Sequence, residues 1–277
     1  MLPADNHVHS RWSWDTAETA TMERECESAI RRGIPAVAFT EHVDFTEWGD
    51  GDRGYGGSAD VKVGDRPGVA PFDPAGYAEN IERCREMFPT LRIWSGIEAG
   101  EPHYFSASVA RVLSAGVFDR VLGSLHGIAV DGRLEAINSA LFERHDPREL
   151  MERYLSDLVD LVEQSQVFGV LAHCDYPRRY WPTERVGTYR EADFEEHYRA
   201  VFAALAPTGR ALEVNTKSPL SSVELIRWWR QEGGQAVSFG SDAHRPDRVG
   251  DQFEVAVHIV EAAGFRPGRD RFDFWRR

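Results

Sequence analysis

Along most of the chain, short apolar runs alternate with stretches whose apolar residues recur at helical spacing. Residues 2–8, 36–40, 91–97, 117–125, 168–172, 211–215 and 236–240 are expected to be strands, with 36–40 the apolar type that is buried on both faces. Between them the pattern predicts helices. Thr19 or Thr21 is placed to cap the first, which runs through Glu23, Cys26, Ala29 and Ile30 and stops at Gly33. Further helices are expected over 74–88, with Pro74 in its first turn, and over 105–116, 147–166, 190–206, 220–233 and 248–263. Seven strand–helix units with no Pro/Gly/Ser linker between them predict an α/β fold built on a parallel sheet. One domain over residues 1–277 is expected, with its core at about 3–263 and a tail at 265–277. No GxGxxG follows the first strand, which favours a closed barrel over an open dinucleotide-binding sheet. A barrel of this type places its active site where strand C-termini open into loops.

Two stretches interrupt the rhythm. Residues 44–73 hold seven glycines and several aspartates, too long for an inert connection, and are expected to form a lid or rim loop. Residues 127–146 are expected to form a second rim loop, and 176–189 a loop rich in Arg, Tyr, Trp and Pro.

Composition narrows the function classes. A hydrophobic content of 42% over 277 residues supports a sizeable core. A net charge of −13 disfavours nucleic acid as a stable partner and disfavours anionic membranes. Cys26, Cys84 and Cys174 are widely spaced and form no CxxC, which fits a reducing compartment without a disulfide framework. The start of the chain lacks a basic segment followed by an apolar one, and no apolar run approaches the ~18 residues of a membrane span, so a cytoplasmic location is expected.

The distribution of histidine carries the chemistry. Of ten histidines, His7, His9, His42, His126, His173 and His244 fall at predicted strand C-terminal ends, where chance would put roughly one. Alternate residues of a strand point to one side, so His7 and His9 can face a common ion. Glu98 and Asp242 occupy two further strand ends. Imidazoles mixed with carboxylates and no thiolate suit catalytic zinc, iron or manganese rather than a structural zinc knot. His103 is expected on the rim, and His145, His197 and His258 at exposed positions.

His7-Val8-His9 with Asp15 downstream, Thr40-Glu41-His42, Gly96-Ile97-Glu98, Gly123-Ser124-Leu125-His126, Ala172-His173-Cys174-Asp175 and Gly240-Ser241-Asp242-Ala243-His244 together resemble the successive motifs of the PHP (polymerase and histidinol phosphatase) family. The resemblance runs from about residue 3 to 263, and in length it is similar to the monofunctional histidinol-phosphatases. It implies a distorted seven-stranded (β/α) barrel, TIM-like, with two to three divalent ions. Carried over by motif, His7, His9, Glu98 and Asp242 would hold the first ion. Glu98 would bridge to a second held by His126 and His173, and Asp15, His42 and His244 would hold a third. Several family members have histidine where this chain has Asp15, and the harder carboxylate either biases that place toward manganese or iron or weakens it.

Such ions suit hydrolysis of a phosphomonoester. A hydroxide between the first two is expected to attack phosphorus, with Glu98 as the bridge and Asp175, His244 or a metal-bound water returning a proton to the leaving alkoxide. A phosphate also needs cations, and Arg178 and Arg179 are the first candidates, with Lys217 and Arg245 beyond the sixth and seventh strands. Asp44, Glu101 and Asp175 could receive a substrate amino group. L-histidinol phosphate is the expected small-molecule substrate. Asn215-Thr216-Lys217-Ser218-Pro219 departs from the family pattern, which bears on substrate identity more than on chemistry. A phosphodiesterase acting on cyclic or nucleotide phosphates, a choice that loops 44–73 and 127–146 would set, is the alternative, with a metal-dependent amide or ester hydrolase behind it.

Overall fold

In the computed structural model, residues 2–45, 72–130, 132–217 and 219–277 are described. Nearly all of the expected lid over 44–73 lies outside them. The elements in order are β1 (Asp5–Val8), α1 (Met22–Arg32), β2 (Ala36–Val43), α2 (Pro74–Met87), β3 (Arg92–Gly100), α3 (Ser106–Ala115), β4 (Arg120–Ser124), β5 (Gly127–Val130) and β6 (Arg133–Ala136). Then come α4 (Ser139–Arg144), α5 (Pro147–Gln164), β7 (Val170–Leu171), α6 (Thr183–Val186), α7 (Glu195–Leu205), β8 (Ala211–Asn215), α8 (Val223–Gln231), β9 (Ala236–Gly240), α9 (Phe253–Ala262) and β10 (Trp275–Arg276).

Local signals set the ends of these elements. Thr21 caps α1 by accepting the Arg24 N–H, and Gly33 ends it at φ 71°, a left-handed conformation that glycine adopts without a Cβ penalty. Asp146 caps α5 by accepting from the Arg148 and Glu149 N–H groups, with Pro147 in the first turn. The apolar face of α5 buries Leu150, Met151, Tyr154, Leu155, Leu158 and Leu161, and it packs on α7.

Among the described residues the main sheet has eight strands in the order β1-β2-β3-β4-β7-β8-β9-β10. Strands β1 to β9 of that order pair in parallel, and β10 pairs antiparallel with β9. The sheet curls until β1 and the end of β9 meet. There Asp242 N–H donates to the His7 carbonyl (2.7 Å) and His9 N–H to the Ala243 carbonyl (2.9 Å).

Two expectations need correction. The stretch after residue 264 is not a bare tail: Trp275 pairs with Val237 and packs against the Phe239 ring at 5.1 Å, adding an eighth strand. A two-residue strand is too short to leave a periodic pattern. The expected rim loop over 127–146 is a β5–β6 hairpin followed by α4. Its signal was the Asp131-Gly132 pair; Gly132 lies at φ 79°, as a tight hairpin turn requires.

Candidate metal centre and substrate pocket

Parallel pairing brings the expected ligands to one end of the sheet. His42 on β2 and Glu98 on β3 are register partners, so their side chains emerge side by side. Glu98 is fully buried at the middle of the cluster. Its Oε2 lies 3.0 Å from His42 Nδ1, 3.3 Å from His7 Nε2 and 3.5 Å from His9 Nε2. Its Oε1 lies 2.7 Å from His173 Nε2 and 3.3 Å from His126 Nε2. Asp242 Oδ1 stands 3.4 Å from His9 Nε2, 3.9 Å from His7 Nε2 and 3.4 Å from His244 Nδ1. Asp15 Oδ2 approaches His244 Nε2 at 2.9 Å and His42 Nε2 at 3.4 Å.

All nine expected ligands therefore converge, but they do not fall into separate clusters. Ligand atoms within 4.8 Å of one another group as His7-His9-Glu98, as His42-Glu98-His126 and as His9-His42-His244. His42 thus faces Glu98 as closely as it faces Asp15.

Several groups have the character of a cation cradle. The Nε2 atoms of His7 and His9 approach to 3.0 Å. Glu98 Oε2 and His42 Nδ1 are buried without a properly aligned hydrogen bond. Convergent imidazole lone pairs around a buried carboxylate fit a divalent ion. Electrostatics agree. Burial alone would raise the Glu98 carboxyl, yet His7, His126 and His42 hold it well below the usual carboxylate range. Asp242 is likewise held low against its burial, by Lys217, Arg179 and His7. Burial depresses His126, but Glu98 and Asp44 outweigh it and push the imidazole up to about 10. For His9 burial prevails, reinforced by His42 and His244, and the ring is held well below the ordinary histidine value.

Three supporting residues were not among the sequence candidates. Glu213, buried on β8, accepts from His7 Nδ1 at 2.7 Å and from the His173 backbone N–H at 2.7 Å. Ser13 Oγ lies 3.1 Å from His9 Nδ1. Glu41 accepts from the hydroxyls of Ser10 and Ser13, each at 2.6 Å. One available signal was Glu213 itself, a carboxylate inside the apolar run Ala211-Leu212-Glu213-Val214. Such a residue needs a partner in any buried strand.

A cavity of about 330 Å³ opens over the cluster, lined on the cluster side by Asp15, His42, His126, Asp242 and His244. Trp14, Ile137, Tyr176 and Tyr180 form apolar and aromatic wall, and Arg179 and Lys217 supply its cations. Arg179 Nη2 pairs with Asp242 Oδ2 at 2.8 Å and Lys217 Nζ with Asp242 Oδ1 at 3.1 Å.

Other expected contacts do not reach this cavity. Arg178 turns away to Glu191 (2.8 Å) and the Leu220 carbonyl (3.1 Å), because neighbouring residues of the short 3-10 turn Tyr176–Tyr180 point in different directions. Arg245 is exposed and pairs with Asp247. Asp175 faces Arg178 at 3.5 Å, off the cavity lining, and burial raises its carboxyl to about 6. Glu101 accepts from the backbone N–H groups of His126 and Gly127, and Asp44 from Trp14 Nε1, with His126 Nδ1 3.2 Å away. His103 is half-buried beside Tyr104, and burial lowers it to about 4. His145 and His197 are half-buried rather than exposed, whereas His258 is exposed as expected.

The PHP domain family matches residues 5–217, most of the chain. The chain belongs to the PHP family. The histidinol-phosphatase of Lactococcus lactis subsp. lactis (strain IL1403) is 26% identical over 276 residues, covering 96% of this chain and 93% of that protein. A crystal structure of the L. lactis histidinol phosphate phosphatase, in complex with zinc, L-histidinol and phosphate, superposes with a TM-score of 0.77 at 23% identity. That match covers 96% of this chain and 95% of the other, and the PHP fold is common to both. Among the described residues no helix is long and apolar enough to cross a membrane.

Proposed function

We propose that this PHP protein is a metal-dependent phosphatase whose substrate is L-histidinol phosphate. The observation that carries the proposal is the fully buried Glu98, ringed by the imidazoles of His7, His9, His42, His126 and His173 at 2.7–3.5 Å. In this reading the curled sheet is a distorted seven-stranded barrel in one domain, with β10 added at its edge.

His7, His9, Glu98 and Asp242 would hold one ion, and Glu98, His126 and His173 a second. Asp15, His42 and His244 would hold a third, with zinc, iron and manganese all suited to the donor set. Bound divalent ions acidify water and neutralise charge on phosphoryl oxygens.

The chain's own residues supply the remainder. Arg179 and Lys217 reach the cavity as its cations, and both can turn from Asp242 to phosphate oxygens. Of the two side chains expected to return a proton to the leaving alkoxide, only His244 lines the cavity. It carries that role in this reading when the third ion is absent. Trp14, Tyr176 and Tyr180 offer flat faces to a ring such as imidazole. A volume of about 330 Å³ suits a small monoester rather than a polymer, and the similarity to the L. lactis histidinol-phosphatase over 96% of the chain supports the same substrate.

The test is phosphate release from histidinol phosphate, a generic aryl phosphate and cyclic nucleotides, with metal analysis of the same sample. Histidinol phosphate is expected to give the highest kcat/KM, with two to three zinc, iron or manganese ions per chain. Release from none of these substrates refutes the proposal.

A further inference from the structure

We infer that Ser13 is a positioning residue for the metal centre: its hydroxyl sets which nitrogen of His9 faces the ions and also holds the backbone that carries His42. The inference rests on the metal-site reading above and concerns a residue that does not line the cavity.

The assignment follows from counting protons. A serine hydroxyl has one proton to donate and two lone pairs to accept with. Ser13 is 4% exposed, so bulk water is not available to complete its bonding. Three partners surround its oxygen: Glu41 Oε2 at 2.6 Å, the His42 backbone nitrogen at 3.0 Å and His9 Nδ1 at 3.1 Å. Glu41 Oε2 also receives the Ser10 backbone N–H at 3.0 Å. A backbone N–H can only donate, so this oxygen is an acceptor, and the Ser13 proton points to it. The His42 N–H takes the first lone pair. The second is left for His9 Nδ1, which must therefore carry its own proton.

His9 Nε2 is then unprotonated. This is the atom that lies 3.0 Å from His7 Nε2, 3.4 Å from Asp242 Oδ1 and 3.5 Å from Glu98 Oε2. One hydroxyl thus directs a lone pair into the centre and ties the loop after β1 to the ligand-bearing end of β2. None of its bonding capacity is left over. Outer partners of metal-bound histidine generally set tautomer and ring orientation in this way.

The experiment uses the full-length chain stripped of metal by chelation, with 15N-labelled histidine. Wild-type protein is expected to show His9 protonated at Nδ1. Ser13→Ala is expected to shift that resonance toward a tautomer mixture and to weaken zinc or manganese binding by roughly 10- to 100-fold. Its kcat should recover at saturating metal. Glu41→Gln is a control: its amide oxygen can occupy the Oε2 place and its NH2 can donate to Ser10 Oγ. Tautomer and metal affinity should stay within about threefold of wild type, because hydrogen-bond direction rather than charge is what Ser13 requires.

Unchanged metal affinity and an unchanged His9 resonance in folded Ser13→Ala overturn the inference. Should that variant fail to fold, a wild-type His9 protonated at Nε2 overturns it alone. Failure of the phosphatase reading looks different. Phosphate would be released from no substrate, while the His9 tautomer in metal-free protein would remain as stated.

Discussion

Glu213→Gln tests how far the proposed metal centre depends on a residue outside the expected ligand set. The substitution keeps shape and volume and removes only the acceptor character of one oxygen. In the native protein Glu213 Oε2 faces two donors, the His173 backbone N–H at 2.7 Å and Asn215 Nδ2 at 3.1 Å, while Oε1 faces His7 Nδ1 at 2.7 Å. A glutamine will therefore put its carbonyl in the Oε2 place and its NH2 against His7. His7 Nδ1 must then accept, which moves the ring proton to Nε2, the nitrogen 3.3 Å from Glu98 Oε2. A protonated Nε2 cannot ligate. Binding an ion requires either flipping the amide or opposing two buried donors, and a buried donor left without an acceptor costs about 1–3 kcal/mol. At about 1.4 kcal/mol per decade, metal affinity should fall roughly 5- to 140-fold. Calorimetric titration of chelated protein with zinc or manganese measures this, with a thermal melt to verify the fold. An affinity within twofold of wild type would refute the argument that Glu213 fixes the His7 tautomer.

Other consequences can be checked directly. Arg179→Ala should raise KM for a phosphomonoester by roughly 10-fold or more, the scale of a lost charge-assisted hydrogen bond. Arg178→Ala should leave KM within about twofold and lower the melting temperature, because Arg178 ties Glu191 to the Leu220 carbonyl. A steady-state comparison of the two variants decides between them, and equal effects would contradict the cavity described here. pH should act in opposite directions on metal-free and metal-loaded protein. The His126 pKa is raised to about 10 in the folded, metal-free chain, against roughly 6.5 unfolded. Its contribution to stability is therefore complete below about 6.5 and is lost as pH rises through 10. Ion binding needs the unprotonated ring, so loading strengthens over the same range. Melting curves across that interval should diverge, and parallel curves would remove His126 from the site.

The candidate metal ligands were legible in the sequence because residue type and position coincide there. Histidine or carboxylate at the end of an apolar run is rare enough that several together carry information. Ser13, Glu41 and Glu213 act only through other side chains, and no spacing rule marks which serine or glutamate will lie beneath an imidazole. Glu41 even sat inside a recognised motif, overshadowed by the His42 beside it. Arg178-Arg179 read as a pair because adjacency in sequence is visible and side-chain direction on a 3-10 turn is not. The strand at Trp275–Arg276 forms where tertiary packing on Phe239 offers it a place, a cause that two residues cannot express in a pattern.

The junction of β1 with the end of β9 closes the curl of the sheet: across it run backbone bonds from Asp242 to His7 and from His9 to Ala243. His7 and His9 stand on one side of that seam, and Asp242 and His244 on the other. Ions seated between them would rivet residues that are almost a whole chain length apart. The ions of the proposed chemistry would then also fasten the fold, and metal starvation would first be felt as a loosened joint at that seam.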